Sequence, residues 1–218
     1  MAKPILVIGN KNYSSWSLRP YMALKQAGIL FDEQLIPFGE PAFGKAIRKI
    51  SGAGQVPVLL HGKTMVWDSL AILEYVAEQW PESSLWPKQA PARAMARSMC
   101  AEMHAGFKAL RNACPMNIRR PASKISLADG VMHDVLRIEK LWEQSRANFG
   151  KGGPFLFGKF SNADAMFAPV ATRFRTYDIK VSRASAAYVD AILSSQAYVA
   201  WAEAALQESW IYPADEVD

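Results

Sequence analysis

Residues 4–20 read PILVIGNKNYSSWSLRP and join an apolar run to a polar loop and a helical pattern. The run Pro4–Ile8 predicts a short buried strand, because a few apolar residues bounded by turn-forming residues are typical of one. The helical pattern continues to Ala27, where Gly28 is a typical residue for a helix C-terminus. This stretch therefore predicts a strand that leads through a loop into the first helix.

Two serines occupy the loop between this strand and this helix. Pro20 lacks an N–H group and clashes inside a helix, so we expect it in the first turn, with the N-cap within residues 16–18 and Ser17 as the natural candidate. Ser14 and Ser15 then face the unpaired N–H groups and the positive dipole end of the helix, a location that stabilises a thiolate. Helix N-termini can lower a thiol pKa from about 8.5 to roughly 3.5–7.5. A purely structural role, capping the helix and completing a turn, is the alternative.

Three further strands and a second helix are predicted within the first eighty residues. The strands are Phe31–Phe38, Val56–Leu60 and Thr64–Trp67, the last two joined by a hairpin turn at residues 61–63. A helix then opens at Asp68 and Ser69 and carries apolar residues at helical spacing as far as Trp80. The order βαβ followed by ββα predicts a thioredoxin-like fold.

Two short segments of this region are candidates for ligand binding. Pro57 cannot donate to a strand ladder, and a cis Val56–Pro57 bond would turn the backbone N–H and C=O groups of Val56 outward to pair with an extended peptide. An ordinary trans proline on an edge strand is the alternative. The Asp68–Ser69 pair is most often a helix cap, but it could offer a carboxylate, a hydroxyl and backbone N–H groups to a zwitterion such as a γ-glutamyl group.

The remainder of the chain is helical in pattern. Prolines punctuate residues 81–92, which predict a linker between residues 1–80 and an all-helical domain over residues 93–218. One helix is predicted from the apolar stripe Met95, Met99, Met103, Phe107 and Leu110, ending before Pro115, and another from Val131 to its end at Gly150. A capping box at Ser161–Asp164 predicts a helix buried on most sides, and two more helices are expected at Ala184–Leu193 and Ala197–Leu206.

Composition and charge argue against several classes of protein, among them nucleic-acid binders and membrane-spanning proteins. The 218 residues include 25 Lys and Arg against 20 Asp and Glu, and this net charge of +5 is spread evenly rather than concentrated as in a nucleic-acid binder. Cys100 and Cys114 make no disulfide scaffold, the three histidines lack metal-ligand spacing, and no segment approaches the roughly 18 apolar residues that span a bilayer. We expect a cytoplasmic protein without a signal peptide, with no metal, no nucleic-acid partner and no membrane partner.

Four motifs in this order resemble the soluble glutathione transferases over essentially the full length of the chain, in particular a zeta-like and related bacterial branch. The zeta pattern Ser-Ser-Cys-x-x-Arg corresponds to Ser14–Arg19, and the family's x-Val-Pro-x-Leu segment to Gln55–Leu59. Asp68–Ile72 corresponds to its Glu/Gln-Ser-x-Ala-Ile motif, and Ser161–Asp164 to its Ser/Thr-x-x-Asp box. The resemblance implies the glutathione transferase fold, a thioredoxin-like α/β domain followed by an all-α helical bundle.

The resemblance also implies roles for individual residues. Ser14 would hydrogen-bond the glutathione sulfur and hold it as a thiolate, with Ser15 taking this role if the loop register differs. Val56 would pair its backbone with the cysteinyl part of glutathione, beside a cis Pro57. The γ-glutamyl end would be held by Gln55, Asp68 and Ser69. Ser161 and Asp164 would cap a helix rather than catalyse.

One position departs from the zeta pattern. Trp16 stands where zeta enzymes that isomerise maleylacetoacetate carry a cysteine, which argues against that isomerase activity and against thiol-disulfide chemistry. The second substrate would meet an apolar stripe of the first long helix, formed by Met99, Met103 and Phe107, with Arg111 nearby as an anion contact. Core packing explains the stripe equally well. Arg173 and Arg175 are weaker candidates for contact with an acidic substrate.

These inferences predict an enzyme that uses glutathione as co-substrate. The bound thiolate would attack a small electrophilic carbon, with no metal or other cofactor, and the family resemblance implies a homodimer. One alternative is a glutathione-dependent isomerase or reductase of a specific metabolite, in which glutathione is not consumed in a conjugate. The other is a non-catalytic interaction protein on the same fold.

Overall fold

The computed structural model describes residues 2–217, which begin with a four-stranded mixed sheet. Its strands are β1 (Ile5–Ile8), β2 (Asp32–Leu35), β3 (Val58–His61) and β4 (Thr64–Trp67). They lie in the order β2-β1-β3-β4, with β1 parallel to β2 and the other two pairings antiparallel. The helices are α1 (Ser15–Gln26), α2 (Phe43–Ile50), α3 (Ser69–Gln79), α4 (Ala90–Ala105), α5 (Lys108–Ala113), α6 (Val131–Phe149), α7 (Asn162–Thr176), α8 (Arg183–Leu193) and α9 (Gln196–Leu206). The predicted thioredoxin-like sheet followed by helices is confirmed.

Helix α1 begins earlier than its proline suggests. Ser14 is the N-cap, and its Oγ accepts a hydrogen bond from the Ser17 N–H at 3.3 Å. The Ser14 carbonyl accepts from the Leu18 N–H at 3.1 Å, which closes the first turn before Pro20 is reached. The predicted N-cap within residues 16–18 is therefore wrong, because Pro20 removes one hydrogen bond inside the helix rather than setting its start.

Helix α2 was not among the predicted elements. It is short, its N-cap residue Ala42 makes no side-chain cap hydrogen bond, and Ile47 is its buried residue. Ile47 packs with Val7, Ile36 and Val58 in a small second core on the opposite side of the sheet. Phe43, Ala46 and Ile50 are partly buried beside Ile47, and this i, i+3, i+4, i+7 spacing is typical of an amphipathic helix. The helix was therefore predictable from its apolar spacing, although it lacks a polar cap.

The predicted helix from Met95 to Leu110 is two helices. α4 ends at Ala105, and Phe107 has a positive φ of 56°, so the chain breaks before α5 begins. α4 starts at Ala90, inside the predicted linker, because Pro91 occupies its first turn, where the missing N–H is not needed. The division into a domain of residues 1–80 and a domain of residues 93–218 stays a prediction.

Helix α7 lies at the centre of the molecule. Most of its residues are buried, as the sequence predicts, and it packs against α1, α4 and α8. The predicted capping box is confirmed: the Asp164 carboxylate accepts hydrogen bonds from the N–H and hydroxyl of Ser161 at 2.8 Å each. It also accepts from the Leu156 N–H and the Tyr188 hydroxyl at 3.1 Å each. One buried side chain thus connects α7 to the preceding loop and to α8.

No helix within residues 2–217 is long and apolar enough to cross a membrane.

We expect Asp164→Ala to lower the free energy of unfolding by roughly 2–5 kcal/mol, because it leaves buried donors without an acceptor. Urea denaturation measures this. Asp190→Ala is the matched control, since Asp190 is exposed on α8 and pairs with Arg175 at the surface, where such a pair contributes about 1 kcal/mol or less. Equal losses in the two variants would contradict the central role of the Asp164 cap.

Candidate active site

Two adjoining cavities lie beside the N-terminus of α1. The first has a volume of about 610 Å³ and the second about 210 Å³. Trp16, Phe38 and Val56 line both, so the two cavities adjoin, and together they are called the cleft. The other residues of the first cavity are Gly39, Phe43, Ala53, Gln55, Pro57, Trp67, Asp68, Ser69 and Tyr212. The other residues of the second are Tyr13, Ser14, Ser15, Arg111, Asn112, Pro115, Met116, Arg173 and Asp215.

The structure brings together the residues assigned to glutathione on sequence grounds. Gln55, Val56, Pro57, Asp68 and Ser69 all line the first cavity. The Val56–Pro57 peptide bond is cis. Within residues 2–217, the backbone N–H and C=O groups of Val56 make no hydrogen bond. The first cavity therefore offers free backbone groups as well as polar side chains.

Asp68 is the N-cap of α3 and has a left-handed backbone conformation. Its backbone φ is +73°, and its Oδ1 accepts a hydrogen bond from the Leu70 N–H at 2.8 Å. Its Oδ2 lies 3.3 Å from Nε2 of His104, which comes from α4. The Nδ1 of His104 is buried without a hydrogen-bond partner. A residue from the helical half of the chain therefore holds the Asp68 carboxylate in place beside the cavity.

Ser14 belongs to a chain of hydrogen bonds at the start of α1. Its Oγ lies 2.7 Å from the Ser17 Oγ, which in turn accepts from the Gly9 N–H at 3.2 Å. Ser14 is 3% exposed and Ser15 is 8% exposed. The Ser15 hydroxyl makes no hydrogen bond with another side chain in residues 2–217. The first turn of α1 contains no acidic residue, so its positive end is not neutralised locally.

Two guanidinium groups contact the Trp16 ring. The ring centroid is 4.1 Å from Cζ of Arg19 and 4.6 Å from Cζ of Arg111. His104 meets the same ring edge-on, with centroids 5.2 Å apart. Arg19 is buried and donates from Nη1 to the Ser69 Oγ at 3.4 Å, and burial lowers its pKa to about 9 with the Arg173 charge as a second cause. The Trp16 indole thus organises cationic side chains around the cleft.

The residues predicted to bind the second substrate do not lie together in the structure. Arg111 lines the second cavity. Met99, Met103 and Phe107 are packed in the hydrophobic core and line neither cavity. The prediction that Met103 and Phe107 form a pocket wall is therefore wrong, because the stripe of α4 faces the core and the chain breaks at Phe107. Arg175 lies at the surface, paired with Asp190.

Comparison with known proteins identifies the fold. Residues 13–79 match the family described as Glutathione S-transferase, N-terminal domain. A glutathione transferase homolog from Burkholderia, solved with bound glutathione, superposes with a TM-score of 0.69 over 93% of this chain and 97% of that one, at 17% identity. The Tau class enzyme from mango gives a TM-score of 0.71 over 94% and 96%, at 18% identity.

Comparison of sequences also finds similarity to glutathione S-transferases and maleylacetoacetate isomerases. Glutathione S-transferase 1 of Dianthus caryophyllus is 30% identical over 105 residues, 48% of each chain. The probable maleylacetoacetate isomerase of Caenorhabditis elegans is 28% identical over 50% of each chain, so these alignments span about half the length of these relatives. The maleylacetoacetate isomerase of Rattus norvegicus is 25% identical over 83% of this chain and 82% of its own length.

The C-terminal segment contributes to the walls of the cleft. Tyr212 lines the first cavity and Asp215 the second. Arg119 holds this segment through the backbone carbonyls of Glu208 and Trp210. No local pattern in residues 208–217 predicts this, since the segment is distant in sequence from the motifs of the cleft it covers. His104 was not predicted as a site residue either, because its contact with Asp68 depends on how α4 packs beside α3.

We expect Trp16→Ala to lower the free energy of unfolding by about 2–4 kcal/mol, because it removes a large aromatic ring and two cation–π contacts. Trp67→Ala is the matched control, since Trp67 is 52% exposed, and we expect a loss of about 1 kcal/mol or less. Urea denaturation of both variants checks this. A loss in Trp16→Ala no larger than in Trp67→Ala would show that the stacked guanidiniums contribute little.

Proposed function

We propose that this protein is a glutathione transferase in which Ser14 holds the bound glutathione as a thiolate for attack on a small electrophilic carbon. One observation carries the proposal. The five residues assigned to glutathione line a single cavity, and Trp16 and Val56 of that cavity also line the second cavity, where Ser14 and Ser15 lie. A tripeptide bound along the first cavity would deliver its thiol to these serines.

The chemistry of the first cavity suits each part of glutathione. Asp68 can accept from the γ-glutamyl ammonium, and Ser69, at the start of α3, can donate its backbone N–H to the γ-glutamyl carboxylate. The free N–H and C=O groups of Val56 can pair with the cysteinyl backbone as an added strand does. His104 and Arg19 are positioning residues here, since they contact Asp68 and Ser69 respectively.

The hydrogen-bond chain at Ser14 supports its role as the thiolate donor. The Gly9 N–H donates to Ser17 Oγ, and a hydroxyl hydrogen can rotate to the better acceptor. If the Ser17 hydroxyl donates to Ser14 across their 2.7 Å contact, the Ser14 hydrogen is free to point at the sulfur. Ser14 would then accept two hydrogen bonds, from the Ser17 N–H and hydroxyl, and donate one to the thiolate. Ser17 is thus a positioning residue in this arrangement, and Ser15, whose hydroxyl is not engaged by a side chain, is the alternative donor.

The reaction needs little more from the protein. The glutathione thiol loses its proton to solvent, the sulfur forms a bond with the electrophilic carbon, and the leaving group departs with the electron pair of the bond that breaks. The enzyme supplies orientation and a lowered thiol pKa. The positive end of α1 and the Ser14 hydroxyl both favour the thiolate.

A glutathione-dependent isomerase is the second candidate, because sequence relatives carry the name maleylacetoacetate isomerase. Trp16, which contacts Arg19 and Arg111 and stands where the resemblance places the zeta cysteine, weighs against it. Measuring whether glutathione is consumed distinguishes the two, since an isomerase returns it unchanged. The homodimer and the cytoplasmic location inferred from the sequence stay predictions.

Isothermal titration of glutathione, combined with the thiolate absorbance of the bound ligand across pH, tests the proposal. We expect binding with a thiol pKa below about 7.5 in the wild type. In Ser14→Ala we expect that pKa to rise by roughly 1–2 units, which corresponds to the loss of one charge-assisted hydrogen bond, while binding persists. Ser17→Ala should show a smaller rise.

Ser15→Ala is the matched control, since Ser15 neighbours Ser14 and lies in the same cavity. An unchanged pKa in this variant supports Ser14, whereas a rise only in Ser15→Ala transfers the role to Ser15. Absence of glutathione binding in the wild type would overturn the proposed function and favour a non-catalytic interaction protein.

A further inference from the structure

The charges of the first cavity match only part of a glutathione molecule. Among residues 2–217, Asp68 is the one charged residue that lines this cavity, and no lysine, arginine or histidine does. Glutathione carries two carboxylates and one ammonium group at neutral pH. The proposed function pairs the ammonium with Asp68 and the γ-glutamyl carboxylate with the start of α3, where the Arg19 guanidinium donates to the Ser69 hydroxyl. The glycyl carboxylate is left without a charged partner.

The order of the strands indicates where that carboxylate would lie. Strands β1, β2 and β4 end at the same edge of the sheet, where β3 begins, because β1 is parallel to β2 and β3 is antiparallel to both of its neighbours. Across this edge the strands lie in the order β2-β1-β3-β4. Asp68 follows β4, Val56 precedes β3, and Phe38 follows β2. A thiol peptide with its γ-glutamyl end at Asp68 and its cysteine at Val56 therefore extends its C-terminal group towards β1 and β2.

Three aromatic rings line the cavity on the side of β2. We refer to Phe38, Phe43 and Tyr212 as the aromatic wall. The Phe38 ring centroid lies 5.2 Å from that of Phe43 and 5.6 Å from that of Tyr212. The Phe38 N–H donates to the Asn10 side chain, and the Phe38 ring lies so close to Gly9 that a Cβ there would not fit. The aromatic wall is therefore held against the loop after β1, and it presents apolar surface without charge.

The basic residues of α2, which follows the aromatic residue Phe43, do not line the cavity. Lys45, Arg48 and Lys49 are all exposed. The Arg48 Nη1 donates to the carbonyl of Gly44 at 3.4 Å, and the Arg48 side chain lies against the backbone before Gln55. A carboxylate at the aromatic wall would thus lose hydration without gaining a charged partner, which costs more free energy than the burial of a neutral amide.

We propose that the first cavity selects a γ-glutamylcysteinyl thiol whose C-terminal group is uncharged, so that glutathione amide binds more tightly than glutathione itself. In glutathione amide a carboxamide of nearly the same size replaces the glycyl carboxylate. This inference rests on the proposed function, because it places the peptide along the first cavity with its cysteine at Val56. It adds that the aromatic wall, rather than a charged side chain, receives the C-terminal group of the thiol.

Isothermal titration of the wild type with glutathione and with glutathione amide tests the inference. The two thiols differ in one charge and hardly in size, so the ratio of their dissociation constants reports on the environment of the C-terminal group. We expect glutathione amide to bind roughly three- to tenfold more tightly, because the partly buried carboxylate of glutathione is left without a partner. The measurement depends on binding alone and needs no electrophilic substrate.

Two variants add a cation at this end of the cavity. Ala53 is exposed and Tyr212 is half-buried, and both line the cavity. Ala53→Lys and Tyr212→Lys should each lower the preference for the amide roughly three- to tenfold, because the lysine gives the carboxylate a charged partner. Ile211→Lys is the matched control. Ile211 neighbours Tyr212 but is 67% exposed and does not line the cavity, so the same added charge should change the preference by less than about twofold.

Tighter binding of glutathione than of its amide in the wild type would overturn the inference, and loss of that difference in Arg48→Gln would assign the carboxylate to Arg48. Equal binding of the two thiols would also overturn it, because the C-terminal group would then lie in solvent. So would an amide preference that neither lysine variant changes, once thermal unfolding shows that both variants are folded. Each of these outcomes leaves the proposed function in place, whereas absence of binding by both thiols would overturn the proposed function as well.

Discussion

The burial of helix α1 is the constraint on which both the core and the cleft depend. Nine of its twelve residues are buried, and it packs against α3 from the N-terminal half of the chain and against α7 and α9 from the helical half. A helix enclosed in this way has its N-terminus fixed in position and direction. The same packing that fills the core therefore directs the Ser14 cap and the positive dipole end into the cleft.

Trp16 connects this helix to the rest of the site. Because its ring contacts Arg19, Arg111 and His104, it holds together groups that come from α1, α5 and α4. A cysteine at this position could make none of these contacts. The aromatic ring thus supports a cluster of cationic side chains, of which Arg111 lines the second cavity.

Much of this protein was predictable from short segments. The strand at Pro4–Ile8, the hairpin into Thr64–Trp67 and the Ser161–Asp164 capping box depend on periodicities and turn residues that act within a few positions. The wrong predictions concern segments whose local structure depends on packing against residues that are distant in the sequence. Pro20 is accommodated inside α1, and the α4 stripe breaks at Phe107, because burial in the core outweighs the preferences of individual residues.

The sequence by itself determined the four strands, most of the helices and the Ser161–Asp164 capping box, since these follow from patterns that the chain carries locally. Only the tertiary structure decided which side chains meet in the second cavity. Ser14, Arg111, Arg173 and Asp215 lie far apart along the chain, and nothing in the spacing of residues specifies their convergence. Their meeting depends on how α1, α5, α7 and the C-terminal segment pack, which is a property of the folded chain as a whole.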